Sequence, residues 1–183
     1  MQRNPANISG ITLIETLFVL AIVAILCGFV SSSVSAAVGA ARTSGGLANL
    51  LTALTTARSA AANGGIDVIL CPSADGNSCS GGDHWEVGWI GFQVLHTGSD
   101  REPADPIVLR QSAFPPKVHL VSTQGRTRIR FQPNGSNAGS NATFTFCDGR
   151  GAKAASAYAM SNPGNLRAVT PDPANVGAAC SGL

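Results

Sequence analysis

Between Ile11 and Val30 the chain reads ITLIETLFVLAIVAILCGFV, an apolar run whose one charged side chain is Glu15. At the helical rise a run of about 20 residues makes a rod of about 30 Å, the thickness of a bilayer's hydrocarbon core. Such a segment has to be covered by lipid or by other chains. A short polar leader, MQRNPANISG, stands in front of it. A secretory signal has the opposite order, with a shorter apolar region and a small-residue cleavage site behind it. Cleavage ahead of the run would leave the helix on the mature protein, with a new amine at the membrane surface. A carboxylate inside an apolar span is costly and normally marks a function with a partner, and for Glu15 the obvious partner is an amine. Cys27, inside the run, reads as a small buried hydrophobe.

The remainder of the 183 residues suffices for one modest domain. No proline occurs between Ile11 and Cys71, and Leu47, Leu50, Leu51, Leu54, Ala57 and Ala61 recur at helical spacing. One long helix from Ile11 to about Ala62 is expected, with bends or local melting at Ser31-Ser32-Ser33 and Gly45-Gly46, where poor helix formers cluster. After Asn63-Gly64-Gly65 the period becomes strand-like. Strands are expected over Asp67–Leu70, Trp89–Leu95, Ile107–Arg110, Val118–Ser122, Arg128–Phe131, Thr143–Cys147, Tyr158–Met160 and Leu166–Val169. With no second long helical pattern among them, this is an α+β domain, an antiparallel sheet assembly with one helix packed on it. Gly135–Asn141 reads as an exposed loop, and Pro171–Asn175 as an irregular C-terminal connection. The expected organisation is a leader over 1–10, an apolar helix over 11–30, its amphipathic continuation over 31–62 and a β-rich domain over 63–183.

Only 12% of residues are charged and the net charge is +2, against about 25% charged in an ordinary soluble domain. The small net value conceals a split. From Thr43 to Pro106 two basic residues face seven acidic ones, and from Ile107 onward eight basic residues face two acidic ones. In Gln124-Gly-Arg-Thr-Arg-Ile-Arg-Phe, Arg126, Arg128 and Arg130 alternate with Thr127, Ile129 and Phe131. On a strand the three arginines would share a face at about 6.7 Å spacing, either as a solvated outer face or as contacts to successive phosphates.

Cys71, Cys79, Cys147 and Cys180 admit three pairings. Cys71–Cys79 would close a short turn-rich loop and Cys147–Cys180 would staple the C-terminal tail to a strand, and these are the pairings expected in an oxidising compartment. His84, His96 and His119 are scattered without ligand spacing and there is no CxxC pair, so no metal or cofactor is expected. Asp75, Asn77, Asp83 and Glu86 suggest a calcium loop, but Cys79 and Ser80 stand where an oxygen ligand and the turn glycine belong. GxSxG, HExxH, GxGxxG and P-loop motifs are absent, so no enzymatic activity is expected.

Gly10-Ile11-Thr12-Leu13-Ile14-Glu15, followed by the apolar run, resembles the class III signal of type IV pilins and type II secretion pseudopilins, which usually carry Phe where Ile11 stands. The resemblance implies a type IV pilin-like fold, cleavage after Gly10 by a prepilin peptidase and N-methylation of Ile11. It further implies a single-pass stay in the bacterial inner membrane, with the domain in the periplasm, and extraction of the helix into a filament core at the cell surface. There Glu15 would meet the N-terminal amine of a neighbouring subunit. LLTALTTARSAAANGGIDVILCPSADGNSC, WEVGWIGF, IVLR, RIRFQPNG, TFTFCDG and the last cysteine resemble the GspH/FimT branch of minor pilins and pseudopilins. That branch implies major and minor pilins as partners. FimT-type members are implicated in binding DNA for uptake during natural transformation, through a GRxR motif in the C-terminal region. The aligned position here reads Gly164-Asn165-Leu166-Arg167, and a literal GRTR stands at Gly125–Arg128. The expected DNA-contacting residues are therefore Arg126, Arg128, Arg130, Arg150, Lys153 and Arg167, in a phosphate-led, salt-sensitive mode. The alternative is a purely structural subunit of a pilus priming complex or a secretion pseudopilus.

Overall fold

The first helix, α1, runs Leu13–Gly64. The computed structural model describes residues 10–137 and 139–183, the side chains of residues 28–33 excepted, so most of the leader lies outside the described residues. The chain divides into two units, the first ending at Ala37 and the second running Val38–Leu183. In the first unit the described apolar side chains lie open to solvent; Ile11 is 76% exposed, Leu13 79% and Phe18 66%. Among the described residues no helix is long and apolar enough to cross a membrane. The helix does not melt at either expected weak point: α1 is continuous through both the serine triplet and Gly45-Gly46.

In the second unit, α1 buries Leu50, Ala53, Leu54, Ala57 and Ala61, one helical face, while Leu51 turns outward at 41% exposure. Against that face pack Trp85, Trp89, Leu120, Phe131, Phe144 and Phe146. Trp85 meets Phe144 edge-on at 5.4 Å and Trp89 meets Phe114 at 5.5 Å, the geometry the ring quadrupoles favour. Gly46 lies under this layer: a β-carbon there would stand 2.9 Å from Phe114 Cε2 and 3.1 Å from Phe146 Cε1. The glycine that weakens helix propensity is therefore what admits the aromatic rings.

Among the described residues eight strands follow: β1 Val68–Pro72, β2 Gly88–Gln93, β3 Ile107–Ser112, β4 Val118–Ser122, β5 Ile129–Phe131, β6 Thr143–Asp148, β7 Ser156–Met160 and β8 Leu166–Val169. They form two four-stranded sheets, in the orders β3-β2-β1-β5 and β4-β6-β7-β8. Every pairing is antiparallel. Strand β1, VILCP, is buried along its whole length. Val68 and Leu70 enter the main core, while Ile69 and Cys71 join Ile90, Phe92 and Val94 in a second cluster capped by Cys79 and Ile107. A continuous apolar strand is the signature of burial on both faces.

Two further expectations are corrected. The C-terminal connection is a helix, α2 Pro173–Cys180, started by Pro173 in its first turn and by Asp172, whose side chain accepts from the Ala174 and Asn175 N–H groups. The Gly135–Asn141 loop is not wholly exposed. Asn137 is fully buried, and its amide donates to Asn141 Oδ1 and to the Ser161 carbonyl, both at 3.0 Å.

Disulfides join Cys71 to Cys79 and Cys147 to Cys180. The first closes the turn over the outer cluster. The second fastens α2 to β6, where Val121, Cys147 and Ala179 form a small apolar cluster of their own.

Candidate assembly and binding surfaces

Gly10 and Ile11 are exposed and precede the helix, so the expected scissile bond lies outside α1. Thr12 opens α1, its Oγ1 accepting the Glu15 backbone N–H at 3.3 Å. The Thr12-Leu13-Ile14-Glu15 order is that of a capping box, a signal available in the sequence but not read there. An acidic residue in the first turn also suits the positive end of the helix dipole. Ile11, Glu15 and Val19 lie along one face, so the carboxylate stands among exposed aliphatic side chains.

The basic residues expected to contact DNA divide into two sets. Arg130, on β5, donates from Nη1 to Asp67 Oδ2 at 2.8 Å and from Nη2 to the Gly98 carbonyl at 3.0 Å. Arg128 precedes the strand, donates to Ser99 Oγ at 2.9 Å and pairs with Asp100. Arg150 grips Asp148 in a fork, Nε to Oδ1 at 2.9 Å and Nη2 to Oδ2 at 2.7 Å, while its backbone N–H adds a bond to Oδ1. These three are occupied by the chain's own carboxylates. Two of the pairs, Arg128 with Asp100 and Arg130 with Asp67, join the acidic middle to the basic C-terminal half, while Arg150 pairs within that half. In the other set, Arg126, Lys153 and Arg167 have no carboxylate within ion-pair distance among the described residues. Arg126 lies just after the β4 turn, Lys153 on the 3₁₀ turn Ala152–Ala154, and Arg167 on the edge strand β8. Because β5 covers only Ile129–Phe131, it places one arginine on a strand face rather than three.

Two buried carboxylates went unread in the sequence. Asp148, 1% exposed, accepts from Arg150 and from Thr43 Oγ1 at 2.6 Å. The Arg150 hydrogen bonds, with those of Thr43 and the Arg150 N–H, outweigh burial and hold its carboxyl well below the usual carboxylate range. The same pairing raises the Arg150 guanidinium further. Asp105, also 1% exposed, is pushed up by burial, but the N–H groups of Glu102 and Leu95 and the His96 ring more than offset this, leaving it lowered. Asp148 directly follows Cys147 and stands two residues before Arg150. A carboxylate at the end of an apolar strand with an arginine beside it was the available signal.

Residues 47–164 match the family model described as type II transport protein GspH. The chain belongs to the GspH family. This is a family of structural pilins rather than enzymes, and its members are minor pilins and pseudopilins of type IV pili and type II secretion. The GspH-family chain is 18% identical to the type IV minor pilin FimU of Pseudomonas aeruginosa strain PAO1, with a TM-score of 0.51 over 67% of this chain and 84% of FimU. It also matches the minor pseudopilin EpsH of the Vibrio cholerae type 2 secretion system, at 13% identity and a TM-score of 0.44, over 67% of this chain and 92% of EpsH. Among curated proteins none matches. The likeness to FimU is one of fold: a long N-terminal helix packed on antiparallel sheets, the pilin architecture.

Proposed function

We propose that the chain is a filament subunit that waits in the inner membrane and enters a pilus or pseudopilus through its N-terminal helix, after a prepilin peptidase cleaves behind Gly10 and Ile11 is N-methylated. The observation that carries this is the exposed apolar face from Ile11 to Leu26 with Glu15 as its sole charge. A surface of this size and chemistry requires a membrane or neighbouring helices over it. The Glu15 carboxylate takes the Ile11 amine of the neighbouring subunit, which removes both charges from an apolar fibre core and fixes the axial register. Major and minor pilins are the partners. Glu15→Ala tests this: the variant should accumulate in the membrane and be lost from sheared filaments, whereas incorporation equal to wild type would contradict it.

A second reading, a DNA-binding minor pilin used in DNA uptake, is favoured by Arg126, Lys153 and Arg167, whose charges are not taken up by carboxylates. Arg128, Arg130 and Arg150 would have to give up internal partners to join them. Full-length protein in detergent, titrated with duplex DNA at two salt concentrations, should bind with a steep salt slope; no binding at low salt would leave the structural role alone.

A further inference from the structure

Three cations stand on segments that border the end of β6: Arg42 on α1, Lys117 just before β4, whose Val118 pairs with Asp148, and Lys153 on the turn that follows β6. Arg42 on α1 donates from Nη1 to the Pro116 carbonyl at 3.2 Å, which sets it beside Lys117 in the turn between β3 and β4. A β-carbon on Gly149 would lie 3.7 Å from Lys117 Cδ, so that turn abuts the end of β6. Lys153 follows on the 3₁₀ turn just beyond. All three are exposed, and among the described residues none has a carboxylate within ion-pair distance. The acid in their midst, Asp148, is buried and taken by Arg150 and Thr43. Lys117 holds a φ of 66°, a region that favours glycine, so a lysine is kept at the surface where its backbone is strained.

The sequence position of this cluster matters. From Ile11 to Ala41 the only charged side chain is Glu15, and Arg42 is the first cation after it. A helix needs about 20 residues to cross the hydrocarbon and a few more turns to clear the headgroups, and the stretch ahead of Arg42 supplies them. We infer that Arg42, Lys117 and Lys153 form a docking surface for anionic lipid headgroups, which holds the domain against the bilayer before the subunit is extracted. The inference rests on the membrane stage proposed above. Lipid is the occupant that the position favours, because Arg42 is the first cation after the apolar stretch and the cluster carries positive charge that no carboxylate of the described residues offsets.

Lys117 and Lys153 are the only lysines, so lysine acylation reports on this surface alone. Full-length protein is reconstituted into vesicles of phosphatidylcholine or of phosphatidylcholine with phosphatidylglycerol, treated with a membrane-permeant acylating reagent and analysed by peptide mass spectrometry. Headgroup contact and the ammonium form favoured at a negative surface both slow acylation. A surface potential near −30 mV corresponds to about threefold slower reaction at both lysines, a difference that 1 M salt should abolish and Arg42→Gln should reduce at Lys117. Equal rates in the two vesicle types would overturn the docking surface. Alkaline carbonate extraction of the same samples reads insertion separately: release of the protein from both vesicle types defeats the membrane stage, whereas retention with equal acylation rates defeats only the docking.

Discussion

Thr43 Oγ1 donates to Asp148 Oδ2 at 2.6 Å, joining α1 to the end of β6 through a carboxylate that Arg150 also holds. Asp148→Asn keeps the shape but removes the charge that both donors serve. A loss of about 2–3 kcal/mol is expected, less than for a fully buried pair because Arg150 remains 30% exposed. Urea denaturation of the two proteins at neutral pH measures it.

The same carboxylate makes stability depend on acid. Its folded-state pKa lies below the ordinary value near 3.9, so its contribution is complete above about pH 5 and is lost as the pH falls through the unfolded value toward the folded one. Wild type should lose stability over that interval more steeply than Asp148→Asn, as read by melting temperature from pH 6 to pH 2.5.

Gly45 and Gly46 should answer oppositely to alanine. A β-carbon on Gly45 meets nothing within 4 Å, so Gly45→Ala should stabilise by up to about 1 kcal/mol through helix propensity. On Gly46 it would strike Phe114 and Phe146, so Gly46→Ala should destabilise by about 1–2 kcal/mol despite the better propensity. Thermal melts of both variants decide whether Gly46 is a packing residue or merely a weak point in the helix.

The two disulfides should differ in weight. Cys147–Cys180 spans 33 residues and Cys71–Cys79 spans 8, which in the chain-entropy account gives about 3.7 and about 2.5 kcal/mol. Paired serine substitutions at each, followed by denaturation, should rank them in that order, with the Cys147/Cys180 variant also freeing α2 to proteolysis.

Much of this architecture was legible. Leu50, Leu54, Ala57 and Ala61 announced the buried face of α1, and each expected strand lies within a few residues of an observed one. What escaped were features set by distant partners. The separation into two sheets depends on pairings such as Val118 with Asp148 and Leu70 with Ile129, which no local pattern encodes. Helix α2 is only two turns long and owes its place to Cys180, so Asp172-Pro173 was its one visible signal. The arginine alternation suggested an open cationic face. The counter-charges Asp67 and Asp100 come from segments 63 and 28 residues away, and only the fold brings them in.

That neutralisation predicts the pattern of any DNA binding. Arg128→Gln with Arg130→Gln should leave the salt slope of binding near wild type, whereas Lys153→Gln with Arg167→Gln should lower its magnitude by about 1 for each phosphate contact removed. The opposite ranking, read by fluorescence anisotropy across a salt series, would mean that the internal pairs open on the nucleic acid.

The filament-subunit account is tested most directly by the N-terminus of this chain in filaments sheared from cells. Mass spectrometry should find the chain there, beginning at N-methylated Ile11. A chain that begins at Met1, or that stays in the membrane fraction and never enters filaments, would contradict it.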